Sequence, residues 1–159
     1  MAETTVPDRI EKKILLRAPR SRVWRALTDA REFSTWFRVN LTGEFRAGQR
    51  IAGPVTYPGY EYLTMEAWVE RMEPESLFSL RWHPNAVERG VDYSKEPTTT
   101  VEFRLQEVPE GTLLTVVESG FQRLPAGRQR AAYESNSGGW EEQLKNIERY
   151  VTEHPSSRG

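Results

Sequence analysis

The chain contains no cysteine, which removes a disulfide framework, thiolate catalysis and cysteine-ligated zinc or iron–sulfur centres. Histidine is almost as scarce: His83 beside Pro84 and His154 near the end are the only two. A metal site made from imidazoles would need both to converge, and none is expected. An excess of either charge is also missing, with 22 basic against 23 acidic residues, so neither nucleic acid nor an anionic membrane is an expected partner. No run of about 18 apolar residues occurs, and Met1 to Asp8 has no apolar stretch of the kind a secretory signal carries. A soluble, cytoplasmic protein without membrane insertion is the expectation. Also lacking are a glycine-rich phosphate loop, a Gly-x-Ser-x-Gly elbow, a His-Glu-x-x-His helix and an acidic calcium loop. On these grounds no catalytic residue, metal ligand or cofactor is assigned, and ATP hydrolysis, serine hydrolysis and zinc chemistry are not expected.

What is present is patterning. The 159 residues suit one domain, large enough to bury roughly 70% of its unfolded surface. Ile10, Lys12, Ile14 and Leu16 alternate with Glu11, Lys13 and Leu15, which reads as an opening strand. After Pro19, Ser21 is a candidate N-cap for a short helix in which Val23, Trp24 and Leu27 share a face. A break at Asp29 or Ala30 precedes a second short helix carrying Phe33, Trp36 and Phe37. From Leu41 to Phe121 the texture becomes strands punctuated by Gly and Pro. Met65, Ala67 and Val69 form one apolar face, as do Phe78, Leu80 and Trp82, then Val101, Phe103 and Leu105, then Leu114 and Val116. The polar stretch from His83 to Pro97 reads as a long hairpin loop. Arg128 to Ser135 reads as helix, and Trp140, Leu144, Ile147 and Val151 form a helical stripe able to cover the sheet. Ser137-Gly138-Gly139 lies between them, where a kink or a very close backbone approach is expected. The domain is placed at 9–152, with 1–8 as a flexible N-terminus and 153–159 as a flexible tail.

Three segments in order carry a family likeness: Val23-Trp24-Arg25-Ala26-Leu27-Thr28-Asp29 through Trp36-Phe37, then Glu118-Ser119-Gly120-Phe121, then Gly139-Trp140 with Leu144, Ile147, Tyr150 and Val151. They resemble the START-like (SRPBCC) superfamily in its heat-shock protein 90 ATPase activator-homologue branch, kin to polyketide cyclases. The resemblance implies an α+β helix-grip fold (START/Bet v 1-like). In it a strand, two short helices and about six further strands of a curved antiparallel sheet are closed by a long C-terminal helix around a cavity. It implies binding of a small hydrophobic or aromatic molecule. Two alternatives stand beside that: a cyclase- or dehydratase-type enzyme using cavity polar groups, or a chaperone-interacting module. One scaffold hosts all three.

Expected cavity residues follow from the inward faces. Trp36, Tyr62 and Trp82 are assigned to the wall, with Phe78, Leu80, Phe103 and Val116 behind them. Trp24 and Trp140 are read as packing residues, and Trp140, on the closing helix, is also counted among the residues bordering the cavity. Glu118 has two readings: a carboxylate projecting into the cavity, or one at a strand end reaching an arginine or backbone donor. Tyr133 and Asn136, one to two turns before Trp140, either offer hydrogen bonds to a ligand or belong to the rim. His83 follows Trp82, so alternation turns it away from the cavity.

Overall fold

Parity along the strands and the helical stripe dictate the architecture of the computed structural model, which describes residues 6–86 and 91–155. The elements run β1 (Arg9–Leu16), α1 (Arg20–Thr28), α2 (Ala30–Phe37), β2 (Arg50–Pro54), β3 (Thr64–Glu73), β4 (Leu77–Trp82), β5 (Thr99–Val108), β6 (Gly111–Ser119), a 3-10 turn at Phe121–Arg123, and α3 (Ala126–Glu153). The six strands form one antiparallel sheet in the order β1-β6-β5-β4-β3-β2. Chain-adjacent strands pair throughout, except that β1 closes onto β6. The inward positions of β3 to β6 are buried, from Met65, Ala67 and Val69 to Leu114 and Val116, except Trp82, which is half-buried. Against this face lie α1, α2 and the stripe of α3, with Trp140, Leu144, Ile147 and Val151 all buried. This is the helix-grip arrangement. Among the described residues no helix is long and apolar enough to cross a membrane.

Local chemistry explains the boundaries, with some departures from expectation. Pro19, not Ser21, occupies the N-cap of α1, and no side chain caps it. Proline's fixed φ suits that entry, and its carbonyl receives the first helical N–H groups. Asp29 ends α1 and begins α2, its Oδ1 accepting from the Arg31 and Glu32 amides at 2.9 and 3.1 Å. The seventh strand is reduced to two isolated bridges, Val39 with Val55 and Thr42 with Ala52. There the chain crosses so closely that a Cβ at Gly53 would overlap the Asn40 carbonyl. Close backbone approach thus occurs at Gly53 and not at Gly138 or Gly139, where an added Cβ would meet nothing within 4 Å. α3 runs through Ser137-Gly138-Gly139 as one continuous 28-residue helix.

The ends and the long loop are partly described. Val6 is buried, its carbonyl accepts from Gln122 Nε2 at 2.9 Å, and the Asp8 carboxylate accepts from the Gln122 amide at 3.0 Å. These contacts tie the last residues of the expected flexible arm to the 3-10 turn. His154 stacks on Tyr150 at 4.6 Å between ring centroids. Residues 1–5 and 156–159 lie outside the described residues, as do 87–90 of the expected 83–97 loop. That loop joins β4 to β5, and Arg128 of α3 braces it. Its guanidinium donates to Glu96 at 2.8 Å, to the Pro84 carbonyl at 2.8 Å and to the Asn85 carbonyl at 3.0 Å.

Candidate functional site

Register brings three inward positions together at one end of the sheet. Trp82 of β4 pairs with Thr99 of β5, and Val101, two residues on, pairs with Glu118 of β6. Glu118 is therefore carried inward by the same parity that buries Leu114 and Val116, and its side chain is fully buried. Its carboxylate accepts from Trp140 Nε1 at 2.8 Å, from Trp82 Nε1 at 2.9 Å, from the Thr99 hydroxyl, and from Asn136 Nδ2 at 3.0 and 3.1 Å. Two strands and α3 supply these donors, and none is an arginine or a backbone amide. Glu118 points inward but lines neither cleft, and each of these polar contacts is made to a neutral side chain. Indole and amide N–H groups donate only, so the set matches a carboxylate acting as acceptor. No buried side-chain nitrogen or oxygen among the described residues lacks a partner.

Outside this cradle the surface opens. A cleft of about 540 Å³ lies between the start of β3, the β4–β5 loop and α3, lined by Tyr62, Met65, Trp82, His83, Tyr93 and Asn136 among others. A smaller one of about 160 Å³ continues along α3 past Tyr57, Gly139, Trp140, Glu142 and Gln143. Phe37, Trp82 and Asn136 line both. Their shared wall is aromatic: Trp82 stacks on Trp140 at 5.7 Å and 22°, with Phe37 at 5.9 Å from Trp82 and 6.3 Å from Trp140. The Asn136 amide nitrogen is committed to Glu118, so its carbonyl oxygen is turned away from the carboxylate. That oxygen takes no hydrogen bond among the described residues.

The expected site residues separate into two groups. Tyr62, Trp82, Asn136 and Trp140 line the clefts, and Glu118 supports the last three from behind. Trp36 does not belong to a wall: it is buried in the core, donating Nε1 to the Ala26 carbonyl at 2.8 Å and packing edge-on to Phe33. Phe78, Leu80, Phe103 and Val116 are likewise core, Phe78 stacking on Phe103 at 5.9 Å. Aromatic rings fill the concavity beneath α1 and α2, so the open volume sits at its end. Tyr133 packs edge-on against Phe121. His83 lines the larger cleft because β4 ends at Trp82 and alternation stops there. Trp24 packs edge-on against Phe78, as expected of a packing residue.

Thr99, Phe37, Tyr57 and the Glu142–Gln143 pair were not anticipated. Thr99 was legible in principle, since it extends the Val101, Phe103, Leu105 parity by one step. The α3 positions fall one turn beyond Asn136 and Gly139 on the cleft side.

Comparison with known proteins places this geometry. Residues 17–152 match the family described as Activator of Hsp90 ATPase homolog 1-like protein. Protein MLL2253 from Mesorhizobium loti superposes with a TM-score of 0.72 at 21% identity, over 91% of this chain and 97% of that one. DynU16, a putative protein in the dynemicin biosynthetic locus, gives 0.71 at 25% identity over 92% of this chain but only 48% of its own. CalU16 from Micromonospora echinospora gives 0.60 at 23% identity, over 90% and 74%. No curated protein sequence matches the chain. With most of its length covered by the family match and its sheet and helices arranged as a helix grip, the chain belongs to the Activator of Hsp90 ATPase homolog 1-like family of the START-like superfamily.

Proposed function

We propose that this chain is a binding module for a small, flat hydrophobic molecule, seated in the double cleft against Phe37, Trp82 and Trp140. The observation that carries the reading is the shared aromatic wall, open on one side and fixed from behind by Glu118. Stacking surfaces held in place before binding cost little ordering when a ligand arrives. Asn136 adds one oriented polar group, the usual complement of an apolar site. The likeness to a protein of the dynemicin biosynthetic locus supports a biosynthetic small molecule as the ligand class.

Two observations favour binding over the other readings. Glu118, the inward carboxylate of β6 that a cyclase- or dehydratase-type reading draws on, is fully buried and committed to four donors, away from the open volume. Among the described residues the large exposed apolar side chains are Tyr60, Tyr62 and Val91, and two of these line the larger cleft. A chaperone-docking face elsewhere has no such support.

A panel of flat aromatic compounds at about 100 μM should raise the melting temperature, since a ligand that binds only the folded state stabilises it in proportion to RT ln(1 + [L]/Kd). Native mass spectrometry of the freshly purified chain should show a co-purified mass of the same class. If no compound shifts the melting temperature and no mass is retained, the binding reading fails.

A further inference from the structure

We propose that the ligand is a cation: a hydrophobic or aromatic ammonium, recognised by ring faces and surrounding carboxylates. This rests on the binding reading above and adds the charge of the molecule bound. Among the described residues that line the two clefts there is no lysine or arginine, whereas Glu66, Asp92 and Glu142 all contribute. Glu66 is paired with Arg50. Asp92 and Glu142 form no ion pair among the described residues, and neither does Glu118 behind the wall. Asp92 Oδ1 accepts from the Ser94 amide at 2.9 Å, and Glu142 meets the Tyr57 hydroxyl at the long distance of 3.4 Å. Arg128, the cation nearest Tyr93, is paired with Glu96.

The rings point the same way. An aromatic face attracts a cation through its quadrupole, and two rings of these clefts already hold one from this chain. Arg38 sits 5.3 Å over Tyr57, and Arg128 sits 4.6 Å over Tyr93. Trp82 and Trp140 donate their indole N–H groups to the Glu118 carboxylate, which sets an acceptor at the edge of the stacked pair. Several of the polar groups that line the clefts can act as acceptors. The Asn136 oxygen and the Glu142 and Asp92 carboxylates suit the three donors of an ammonium and oppose an anion.

Three probes that share one ring system separate charge from hydrophobicity: naphthylmethylamine, naphthylmethanol and naphthoate, titrated by quenching of tryptophan fluorescence. The ammonium should bind about five-fold or more tightly than the alcohol at low salt, with the carboxylate weakest. Raising ionic strength from about 0.02 to about 0.5 M should narrow that ratio. The double substitution Glu142→Gln with Asp92→Asn, both at exposed positions, should move the ratio toward one. Equal binding of amine and alcohol, or tighter binding of naphthoate, would overturn the cationic preference and leave the aromatic site standing. Failure of all three to bind would overturn the site itself.

Discussion

The long helix α3 packs on two buried ionisable side chains, and the two are satisfied in opposite ways. Near its C-terminus Arg22 of α1, 3% exposed, pairs with Glu32 of α2 at 2.8 Å and closes on the His154 carbonyl at 2.7 Å. Glu32 also takes Arg25 at 2.9 Å and the Tyr150 hydroxyl at 3.1 Å. Burial, and then Glu32, pushes the Tyr150 phenol above its ordinary range. At the middle of the helix Glu118 has no cation among the described residues and is held by two indoles, a hydroxyl and an amide. The first arrangement joins three helices and nothing more: charge meets charge and the end is closed. In the second, three of the four donors, Trp82, Trp140 and Asn136, border open volume. Burying a carboxylate among neutral donors is a weaker solution than an ion pair, and its benefit here is that it fixes the edges of Trp82 and Trp140.

The largest test of this contrast is Trp140→Ala. It removes a buried aromatic and one of the Glu118 donors together, and should destabilise by about 4 kcal/mol in urea titration. A loss under about 1 kcal/mol would mean that α3 closes the sheet without this anchor.

Glu118→Gln is subtler and separates acceptor chemistry from shape. Either orientation of the new amide sets an N–H₂ group against an indole N–H, of Trp140 at one oxygen position or of Trp82 at the other. One indole must lose its acceptor, and a cost of about 2 kcal/mol is expected. Arg22→Met at the C-terminal end of α3 should cost a comparable or smaller amount, roughly 1 to 2 kcal/mol, because Glu32 retains Arg25 and Tyr150. The readout that distinguishes the two is tryptophan emission at matched folded fractions. It should change for Glu118→Gln and stay fixed for Arg22→Met. An identical spectrum for both would remove the role given to Glu118 in holding the rings.

How much of this was legible before any coordinates follows from what alternation can encode. Half-buried antiparallel strands write their faces into residue parity, so five of the six strands and the α3 stripe were readable. Parity also carried Trp82 and Glu118 inward. It says nothing about whether an inward face meets packed rings or open space, which is why Trp36, Phe78 and Phe103 were assigned to a cavity that their own neighbours fill. The partners of Glu118 were hidden for another reason: they come from β4, β5 and α3, and only strand register brings them within reach. Gly138-Gly139 misled through composition, since adjacent glycines in a helix suggest contact or a bend. Here they border empty volume.

That volume supplies the smallest and sharpest comparison, made at one position with two side chains. Gly139 lies in mid-helix and lines the smaller cleft, and a Cβ built there meets nothing within 4 Å. Gly139→Ala should therefore raise stability by about 0.5 to 1 kcal/mol, because alanine restricts the unfolded chain and favours the helix without a clash. Gly139→Leu should keep most of that gain while its branched side chain occupies space beside Trp140 and Gln143. Ligand-induced shifts in melting temperature should then shrink for the leucine variant and persist for the alanine one. If both variants bind as the parent does, the smaller cleft is no part of the site, and the ligand lies wholly in the larger one beside Trp82. If alanine destabilises the fold, the helix is under a constraint at this glycine that open space alone does not explain.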